Sequence, residues 1–357
     1  MARIKAAVIF GGVSAEHELS LASAADVIKN IPSDKYEVIC IGITRKGRWL
    51  YYPGDAEDIA DGKWETNPDC TSAIISPDPI HKGIIAIENG EVSLKKIDVV
   101  FPILQGKFGA DGTVQGLLDM SGIPYVGCGL LASASCMDKS HIHMILDDYN
   151  IRTAAWKLIT QREINHLDKT CSEIAAELGF PLIAKPANSG SSVGITKACT
   201  TDELEAAVKL AFSHDNKVVV EKFIDGRELE AAVFGYDTPF SSYIGEIVSD
   251  SGHCGSRERF VTSNGKFVIP ADLDFELVQE IRGTAVEAFK ALGCKGMARI
   301  DFFLGNDGLL YLNKVSTMPG FSSECIYPKL MKHLGMELPY LLDKLLEQAV
   351  ENADKVY

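Results

Sequence analysis

The 357-residue sequence lacks the paired cysteines of a zinc site or a disulfide scaffold. Its nine cysteines are an odd number, are scattered along the chain and never occur as C-x-x-C. Closely spaced cysteine pairs are typical of structural zinc sites, and an even set is typical of secreted disulfide frameworks. The pattern therefore favours free thiols in a reducing compartment, and we predict a cytoplasmic protein.

Long apolar runs and blocks of basic residues are also absent. No stretch approaches the roughly 18 apolar residues of a membrane-spanning helix, and the apolar run at residues 6–10 reads as a buried strand and not as a signal peptide. The formal net charge is −14. An acidic chain without a basic block binds nucleic acids and anionic membranes poorly. We therefore expect neither partner, and we expect an anionic small substrate to be held by local lysines or arginines.

What the sequence does contain, at its start, is an alternation of strand and helix patterns. Strands are predicted at residues 4–10, 36–44 and 97–104, and helices at 20–31 and 112–122. This order predicts an open parallel sheet over residues 1–129. Ligands of such sheets lie at the carboxyl ends of the strands, where the glycine-flanked loops 11–20 and 105–112 would meet.

The remaining chain also alternates strands with helices. One continuous helix is predicted over residues 131–150, and another begins at Thr200, which forms a capping box with Glu203. Apolar residues at helical spacing predict a further helix that ends at Gly293. The last predicted element is a C-terminal helix.

The loop at residues 185–194 reads "KPANSGSSVG". Small side chains let backbone N–H groups approach a phosphate, serine hydroxyls add donors, and Lys185 adds positive charge. It is not a Walker motif, because no G-K-[ST] follows four spacer residues. A phosphate-binding loop and an ordinary hairpin loop both fit this stretch.

Two further hairpins carry polar residues at suggestive positions. In residues 218–230, the backbone from Glu221 to Ile224 offers contacts for an adenine edge and Glu228 offers a carboxylate to a ribose. In the second hairpin, a turn at or near Asp307-Gly308 puts Asp301 and Lys314 on one face. The simpler interpretations are a plain hairpin and a cross-strand ion pair worth about 0–1 kcal/mol.

The loop at residues 11–20 reads "GGVSAEHELS", so that Glu16, His17 and Glu18 follow the glycines that end the first strand. A ligand site and a set of solvated side chains both fit this loop.

These segments, in this order, resemble the D-alanine:D-alanine ligases and their vancomycin-resistance relatives, which are ATP-grasp enzymes. The resemblance covers essentially the whole chain. The matching segments are "GGVSAEHELS", "GKFGADGTVQGLLDMSGIPYVGCG", "KPANSGSSVGITK", "EKFIDGRELE", "ALGCKGMARIDFFL" and "TMPGF". Residues 41–54, "IGITRKGRWLYYPG", are similar to the branch that contains the D-alanine:D-serine ligases.

The resemblance implies an α/β (α+β) ATP-grasp fold with three domains, which we place at residues 1–129, 130–217 and 218–357. It also implies that ATP, with Mg²⁺, is held between the second and third domains. In the family reaction, one D-alanine carboxylate is phosphorylated and a second amine then attacks the acyl phosphate, which supplies peptidoglycan precursors. The family further suggests a homodimer.

The resemblance assigns roles to individual residues. The ATP-binding positions correspond to Lys139, Lys185, Glu221, Lys222, Phe223, Ile224, Glu228 and Arg259. Glu16 corresponds to the residue that holds the first D-alanine ammonium, and Ser191 to the serine that links it to the lid loop. Arg299 and the Gly320 N–H correspond to the groups that stabilise the tetrahedral oxyanion.

The sequence departs from the family pattern at the metal site. The family ligands are an Asp, then the Glu and Asn of N-E-x-N-T-M-P-G; here Asp301 remains, but Lys314 and Ser316 occupy the other positions. An ammonium has only donors, so it cannot bridge two Mg²⁺ ions. The sequence predicts one weakly held Mg²⁺ or none.

The lid and the second-substrate loops depart as well. The lid, usually Y-D-Y-x-x-K-Y, reads "CGSRERF", so that Arg259 and Phe260 take the Lys-Tyr places. Gln105 replaces a histidine, and Cys325 replaces the serine that receives the second substrate's carboxylate. We assign Gln105, Phe260 and Cys325 to the second-substrate site.

Three interpretations stay open on the sequence. The first is an ATP-dependent D-alanine:D-alanine ligase in which Lys314 stands as a fixed positive charge in place of one metal. The second is a catalytically impaired paralogue that still binds nucleotide. The third is a ligase for another acceptor, such as D-serine or D-lactate.

Overall fold

The computed structural model of the protein describes residues 2–88, 90–190, 193–248 and 266–353, which fold into three β-sheets with flanking helices. The N-terminal sheet contains β1 (Ile4–Gly11), β2 (Tyr36–Ile43), β3 (Trp49–Tyr52), β4 (Thr71–Ile75), β5 (Gly83–Glu88), β6 (Glu91–Lys96) and β7 (Val99–Ile103). The central sheet contains β8 (Trp156–Thr160), β9 (Leu182–Pro186), β10 (Thr196–Ala198) and β11 (Lys217–Lys222). The C-terminal sheet contains β12 (Gly226–Gly235), β13 (Phe240–Val248), β14 (Lys266–Val268), β15 (Gly296–Gly305) and β16 (Leu310–Ser316).

The helices lie between and around these sheets. They are α1 (His17–Asn30), α2 (Ala56–Ala60), α3 (Thr113–Ser121), α4 (Leu130–Met137), α5 (Lys139–Asp148), α6 (Leu167–Leu178), α7 (Thr201–Phe212), α8 (Phe275–Ala291), α9 (Ile326–His333) and α10 (Leu338–Glu351). The α7 prediction is confirmed at its start, because the Thr200 hydroxyl accepts from the Glu203 N–H at 3.2 Å. Among the described residues, none of the helices is both long and apolar enough to cross a bilayer.

The N-terminal sheet is mixed, with the strand order β6-β5-β4-β3-β2-β1-β7. β1 runs parallel to β2 and β7, as the sequence predicts, whereas β3 to β6 join as antiparallel neighbours. The reason lies in the connections: only residues 44–48 separate β2 from β3, and a parallel pair needs a crossover of about a dozen residues or more. The α/β class is confirmed, and the parallel part of this sheet is its three-strand end.

The central and C-terminal sheets are antiparallel, in the orders β10-β9-β11-β8 and β14-β13-β12-β15-β16. β11 pairs with β8 and β9, so the central sheet continues to Lys222, beyond the predicted boundary between residues 217 and 218. The division into three domains stays a prediction, and the sheets themselves divide after β11.

The predicted continuous helix over residues 131–150 is two helices that break at Asp138. Asp138 is extended, with φ −88° and ψ 107°, and its carboxylate accepts from the N–H groups of Ser140 and His141. An aspartate in this position caps a new helix and does not continue the old one. The break makes Lys139 the first residue of α5, where its side chain reaches the loop after β9.

One buried cluster joins the two ends of the chain. Val8 and Phe10 of β1 lie in the same core as Leu341 and Leu345 of α10. A polar contact reinforces this packing, because the Tyr36 hydroxyl lies 3.0 Å from an Asp343 carboxylate oxygen. The C-terminal helix therefore completes the core of the N-terminal sheet.

Candidate functional site

A narrow cleft lies between the central sheet and the C-terminal sheet. The central sheet contributes Lys185 from β9 and the stretch from Glu221 to Ile224, which begins in β11. The opposite wall consists of Phe303, Tyr311, Leu312 and Asn313, with Ala154 and Ile183 completing the lining. The structure thus brings together five of the residues that the sequence assigns to nucleotide binding.

At one end of the cleft, every charged group has a partner. The Lys185 ammonium lies 2.6 Å from one Glu221 oxygen, and His143 Nε2 lies 3.1 Å from the other. Burial alone would raise the pKa of Glu221, but Lys185 and His143 outweigh it and lower that pKa to about 2. His143 itself is held by Thr153, at 2.8 Å, and stacks on Trp156. We call this end of the cleft the base end.

The next two residues are also engaged. Lys222 donates to the carbonyls of Gly179 and Phe180 at 3.0 and 2.8 Å, so its ammonium fixes the turn before β9. The Phe223 N–H donates to the Pro181 carbonyl at 3.0 Å. Glu228 lies across from Phe303 in the pairing of β12 with β15, which puts it next to the cleft wall.

Next to the cleft lining, two ammonium groups contact the loop after β9. Lys139 Nζ donates to the Ser189 carbonyl at 2.8 Å and to the Pro186 carbonyl at 3.2 Å. Lys314 Nζ donates to the Gly190 carbonyl at 3.2 Å. Ser191, which the resemblance assigns to catalysis, follows directly but lies outside the described residues. We call this region the phosphate end.

The two lysines at the phosphate end both have a lowered pKa. Burial lowers the pKa of Lys139 to about 7, and the nearby charges of Lys185 and Lys314 act in the same direction. Burial also lowers the pKa of Lys314, although Asp301 opposes the shift. Clustered ammonium groups with too few counter-charges are typical of an anion-binding site.

The Glu16 carboxylate reaches the same loop from the N-terminal sheet. A Cβ atom at Gly106 would lie 2.4 Å from Glu16 Oε2, and one at Gly190 would lie 3.2 Å from Oε1. The carboxylate therefore lies against two glycine backbones, one in the loop after β7 and one in the loop after β9. A side chain at Gly106 would push Glu16 away, and its φ of +72° also favours glycine.

Gln105, the residue before Gly106, is buried. Its backbone carbonyl accepts from the Ser14 hydroxyl at 2.8 Å. Its amide nitrogen and oxygen have no hydrogen-bond partner within the described part of the chain. Unpaired buried amides are uncommon in proteins.

The hairpin of β15 and β16 does set Asp301 opposite Lys314. The turn is one residue longer than the two-residue turn considered from sequence, because Gly305 and Leu309 still pair across it. A β-bulge between Asp301 and Phe302 compensates for this extra residue, so that Lys314, and not Asn313, faces Asp301. Bulges commonly re-aim a side chain beside a functional site.

Arg299 occupies both oxygens of Asp301. Its guanidinium donates to them at 2.7 and 2.8 Å and lies 3.3 Å from a Glu230 oxygen. Burial, reinforced by Asp301 and Glu228, raises the pKa of Glu230 to about 8, although Arg299 opposes the shift. The Oε2 of Glu230 has no hydrogen-bond partner in the described ranges.

The residues at this hairpin do not fit the two-metal site that the resemblance implies. Asp301 is bound by a guanidinium, Lys314 presents an ammonium, and Ser316 pairs with Arg299 across the strands. Within the described residues, no three His, Cys, Asp or Glu side chains form a group that could hold a metal ion. The prediction of at most one weakly held ion stays a prediction.

Gly320 and Cys325 lie in direct contact. A Cβ atom at Gly320 would come within 2.4 Å of the Cys325 sulfur, which also lies 3.1 Å from the Ser322 hydroxyl. The loop is held against α1, because the Phe321 N–H donates to the Ser23 hydroxyl at 3.0 Å. Arg259 and Phe260 lie outside the described residues, so the predicted contribution of the lid is untested.

Two residues of the site were not predicted from the sequence. His143 follows Lys139 by four residues, which is one helical turn, so it shares a face with that lysine. Glu230 follows Glu228 by two residues, which on a strand means the same face. Both spacings are visible in the sequence, but the side chains that His143 and Glu230 contact come from other segments of the chain, which the spacing does not identify.

Comparisons with known proteins agree with this architecture. The family descriptions "D-ala D-ala ligase N-terminus" and "D-ala D-ala ligase C-terminus" match residues 5–128 and 145–347. The D-alanine–D-alanine ligase of Acetivibrio thermocellus is 43% identical, over 96% of this chain and 95% of its own. That of Thermoanaerobacter sp. (strain X514) is 44% identical, over 99% and 98%.

Solved structures show the same similarity in three dimensions. The VanG D-Ala:D-Ser ligase from Enterococcus faecalis aligns with a TM-score of 0.90 and 39% identity, over 98% of this chain and all of its own. The D-alanine-D-alanine ligase from Coxiella burnetii aligns with a TM-score of 0.87 and 28% identity, over 100% and 96%. The chain therefore belongs to the D-alanine–D-alanine ligase family and has its ATP-grasp fold.

Proposed function

We propose that this protein uses ATP to join D-alanine to a second D-amino or D-hydroxy acid, as a step in peptidoglycan precursor synthesis. The observation that carries the proposal is the meeting of Glu16, Lys139 and Lys314 at the Ser189-Gly190 backbone, beside the nucleotide cleft. A carboxylate next to several cations suits a substrate with an ammonium and a carboxylate that must approach a triphosphate.

The reaction we propose has two steps. First, a carboxylate oxygen of D-alanine attacks the γ-phosphorus of ATP, the bond from that phosphorus to the β–γ bridging oxygen breaks, and ADP leaves. Second, the amine or hydroxyl of the acceptor attacks the acyl carbon of D-alanyl phosphate. The carbon–oxygen bond to phosphate breaks, inorganic phosphate leaves with the bonding electrons, and the acceptor's proton passes to solvent.

Each group of the site has a place in this scheme. The stretch from Glu221 to Ile224 and Glu228 would hold the nucleoside, and Lys139 would hold its phosphates. Lys185, which is paired with Glu221 but lies close enough to affect Lys139, would add a second contact to the phosphates. Glu16 would hold the D-alanine ammonium, while Arg299 and the Gly320 N–H would stabilise the oxyanion of the second step. For Ser191 and Arg259 we retain the roles that the family suggests.

The test is D-alanine-dependent release of ADP, with the product identified by mass spectrometry. The variant Glu16→Gln should lose about 100-fold in kcat/KM, because a charge-assisted contact to the substrate ammonium is worth roughly 2–3 kcal/mol. Glu18→Gln is the matched control, since Glu18 lies two residues away and pairs with Arg45 at the surface. An absence of D-alanine-dependent ADP release from the wild type would refute the proposal.

One observation favours a second candidate, a catalytically impaired paralogue that binds nucleotide: Arg299 and Lys314 occupy the hairpin where the family holds its metal. The double variant Lys314→Glu with Ser316→Asn separates the two candidates. If the wild type is active, the change should alter its metal dependence. If it is inactive and the variant gains ligase activity, the impaired paralogue is the better description.

The acceptor is a separate question. The structural relative from Enterococcus faecalis is a D-Ala:D-Ser ligase, and Gln105, Phe260 and Cys325 mark the second-substrate site in which this chain departs from the family. A panel of D-alanine, D-serine and D-lactate, with products identified by mass, decides the class. We propose D-alanine first, because the curated relatives that match over nearly their whole length are D-alanine–D-alanine ligases.

We further propose, from the family alone, that the protein is a cytoplasmic homodimer. It would use ATP and bind no more than one Mg²⁺ ion. Analytical ultracentrifugation of the full chain tests the dimer. A monomer at micromolar concentration would contradict it.

A further inference from the structure

Lys314 extends from the C-terminal sheet towards the opposite side of the cleft. It lies on β16 opposite Asp301, and its Nζ reaches the Gly190 carbonyl, which follows β9 of the central sheet, at 3.2 Å. The Lys139 Nζ reaches the neighbouring Ser189 carbonyl at 2.8 Å. Two ammonium groups from different elements therefore meet at adjacent residues of one loop.

Among the described residues, neither of these ammonium groups has a counter-charge in contact. Within the described residues, no Asp or Glu oxygen lies within 4.0 Å of the Nζ of Lys139 or Lys314. Two nearby carboxylates are committed elsewhere, because Asp301 is bound by Arg299 and Glu221 by Lys185. The Glu16 carboxylate also approaches this loop, where the proposed function gives it the D-alanine ammonium. The ammonium groups of Lys139 and Lys314 are therefore available to bind an anionic ligand.

We propose that Lys314, together with Lys139, binds the terminal phosphates of ATP directly, so that the protein binds ATP without a divalent cation. This inference rests on the proposed function only in placing the nucleotide in the cleft between the two sheets. It deepens that function by giving Lys314 the phosphate-binding role of a Mg²⁺ ion, which the residues of the hairpin do not fit.

The chemistry supports this assignment. An ammonium offers three donors to phosphate oxygens, and the contacts of Lys314 to described residues use one of them. Charge-assisted hydrogen bonds to phosphate are among the stronger contacts in proteins. The same ammonium repels a divalent cation at this position, whereas a carboxylate would attract one. A metal-free nucleotide is therefore the better match for the observed hairpin.

The experiment is isothermal titration calorimetry of the full chain with ATP, in excess EDTA and in excess Mg²⁺. The wild-type dissociation constant in EDTA should lie within about threefold of the constant in Mg²⁺. Lys314→Met should weaken ATP binding in EDTA by about 10- to 100-fold, the usual value of a hydrogen bond to a charged group. AMP, which lacks the terminal phosphates, should bind both proteins with the same affinity.

Two further variants control the interpretation. Lys314→Arg keeps the charge and should bind ATP in EDTA within about fivefold of the wild type, which is less than one such hydrogen bond. Lys332→Met removes an exposed lysine that pairs with Glu337, and it should change nothing. Thermal unfolding confirms that each variant is folded, and if Lys314→Met is not, the comparison of Lys314→Arg with the wild type in EDTA stands in its place.

The outcomes separate this inference from the proposed function. Strictly Mg²⁺-dependent ATP binding by the wild type overturns the inference, even if the protein is an active ligase. Metal-free ATP binding that depends on Lys314 supports it, even if D-alanine releases no ADP. Equal loss of AMP and ATP in Lys314→Met would also overturn it, because the lysine would then act on the whole site and not on the terminal phosphates.

Discussion

The base end and the phosphate end of the cleft are built on different principles. At the base end, Glu221 is paired on both oxygens, by Lys185 and by His143, before any ligand arrives. At the phosphate end, Lys139 and Lys314 contact only backbone carbonyls of described residues. Paired buried charges support the fold, whereas buried charges without counter-charges raise the energy of the free protein until a ligand neutralises them. One end is therefore part of the fold, and the other is completed by its ligand.

The largest expected effect is a loss of folding stability when the charge pair at the base end is broken. Glu221→Gln should lower the free energy of unfolding by about 3 kcal/mol at pH 7, because Lys185 stays buried opposite a neutral amide. Chemical denaturation measures this loss. Glu177→Gln is the control, since Glu177 pairs with Lys157 at the surface and should cost about 0.5 kcal/mol or less. A loss for Glu221→Gln as small as that of the control would contradict the prediction.

The same pair has a defined pH dependence. The folded-state pKa of Glu221 is about 2, below the ordinary value of 4.5. A depressed carboxylate pKa stabilises the fold fully above the unfolded value, and that contribution is lost as the pH falls through the window between the two values. The stability difference between the wild type and Glu221→Gln should therefore shrink between about pH 4.5 and pH 2.

A smaller effect concerns charge at the phosphate end. The pKa of Lys139 is lowered to about 7 by burial and by Lys185 and Lys314, against Glu221 and Asp215. Only the protonated amine binds phosphate well, so the affinity for ATP should fall about tenfold between pH 7 and pH 8.5. Lys139→Met should bind ATP more weakly but with a flatter pH profile. Calorimetry in buffers of matched ionic strength measures both, and parallel profiles would contradict the assignment.

The smallest expected effect is the change in stability when the buried amide of Gln105 is replaced. Because both amide atoms of Gln105 lack described partners, Gln105→Met should leave the free protein as stable or raise its free energy of unfolding by up to about 1 kcal/mol. Gln115→Met is the control, since Gln115 donates to the Gly109 carbonyl at 2.9 Å, and it should destabilise by about 1 kcal/mol. Thermal unfolding distinguishes them, and a larger loss for Gln105→Met would show that its amide is already satisfied.

Much of this contrast could be anticipated from sequence because it depends on local pattern. The strand–helix–strand order at the start, the Thr200 cap and the facing of Asp301 and Lys314 follow from periodicity, capping and turn position. The meeting of Lys185 with Glu221 to Ile224 was expected from the resemblance, since no local pattern brings residues so far apart in sequence together.

The rest required three dimensions. The Asp138 break depends on a capping geometry that competes with a good helical pattern. The bulge that brings Lys314 opposite Asp301 offsets an extra residue in the turn. Each shifts the strand register by one residue, and because the shifts are opposite, the sequence pattern shows neither. The pairing of Arg299 with Asp301 is a side-chain choice between neighbours on one face of a strand, which the sequence leaves open.

The shared core of β1 and α10 has a consequence for how the protein is made. Domains generally fold as they leave the ribosome, the N-terminal one first. Here the core that contains Val8 and Phe10 of the first sheet also contains Leu341 and Leu345 of the last helix, together with residues of α1 and α9. That core stays incomplete until α10 has been made, which makes its apolar residues a client surface for a chaperone. Nascent chains stalled before α10 would therefore be far more prone to aggregate than the finished protein.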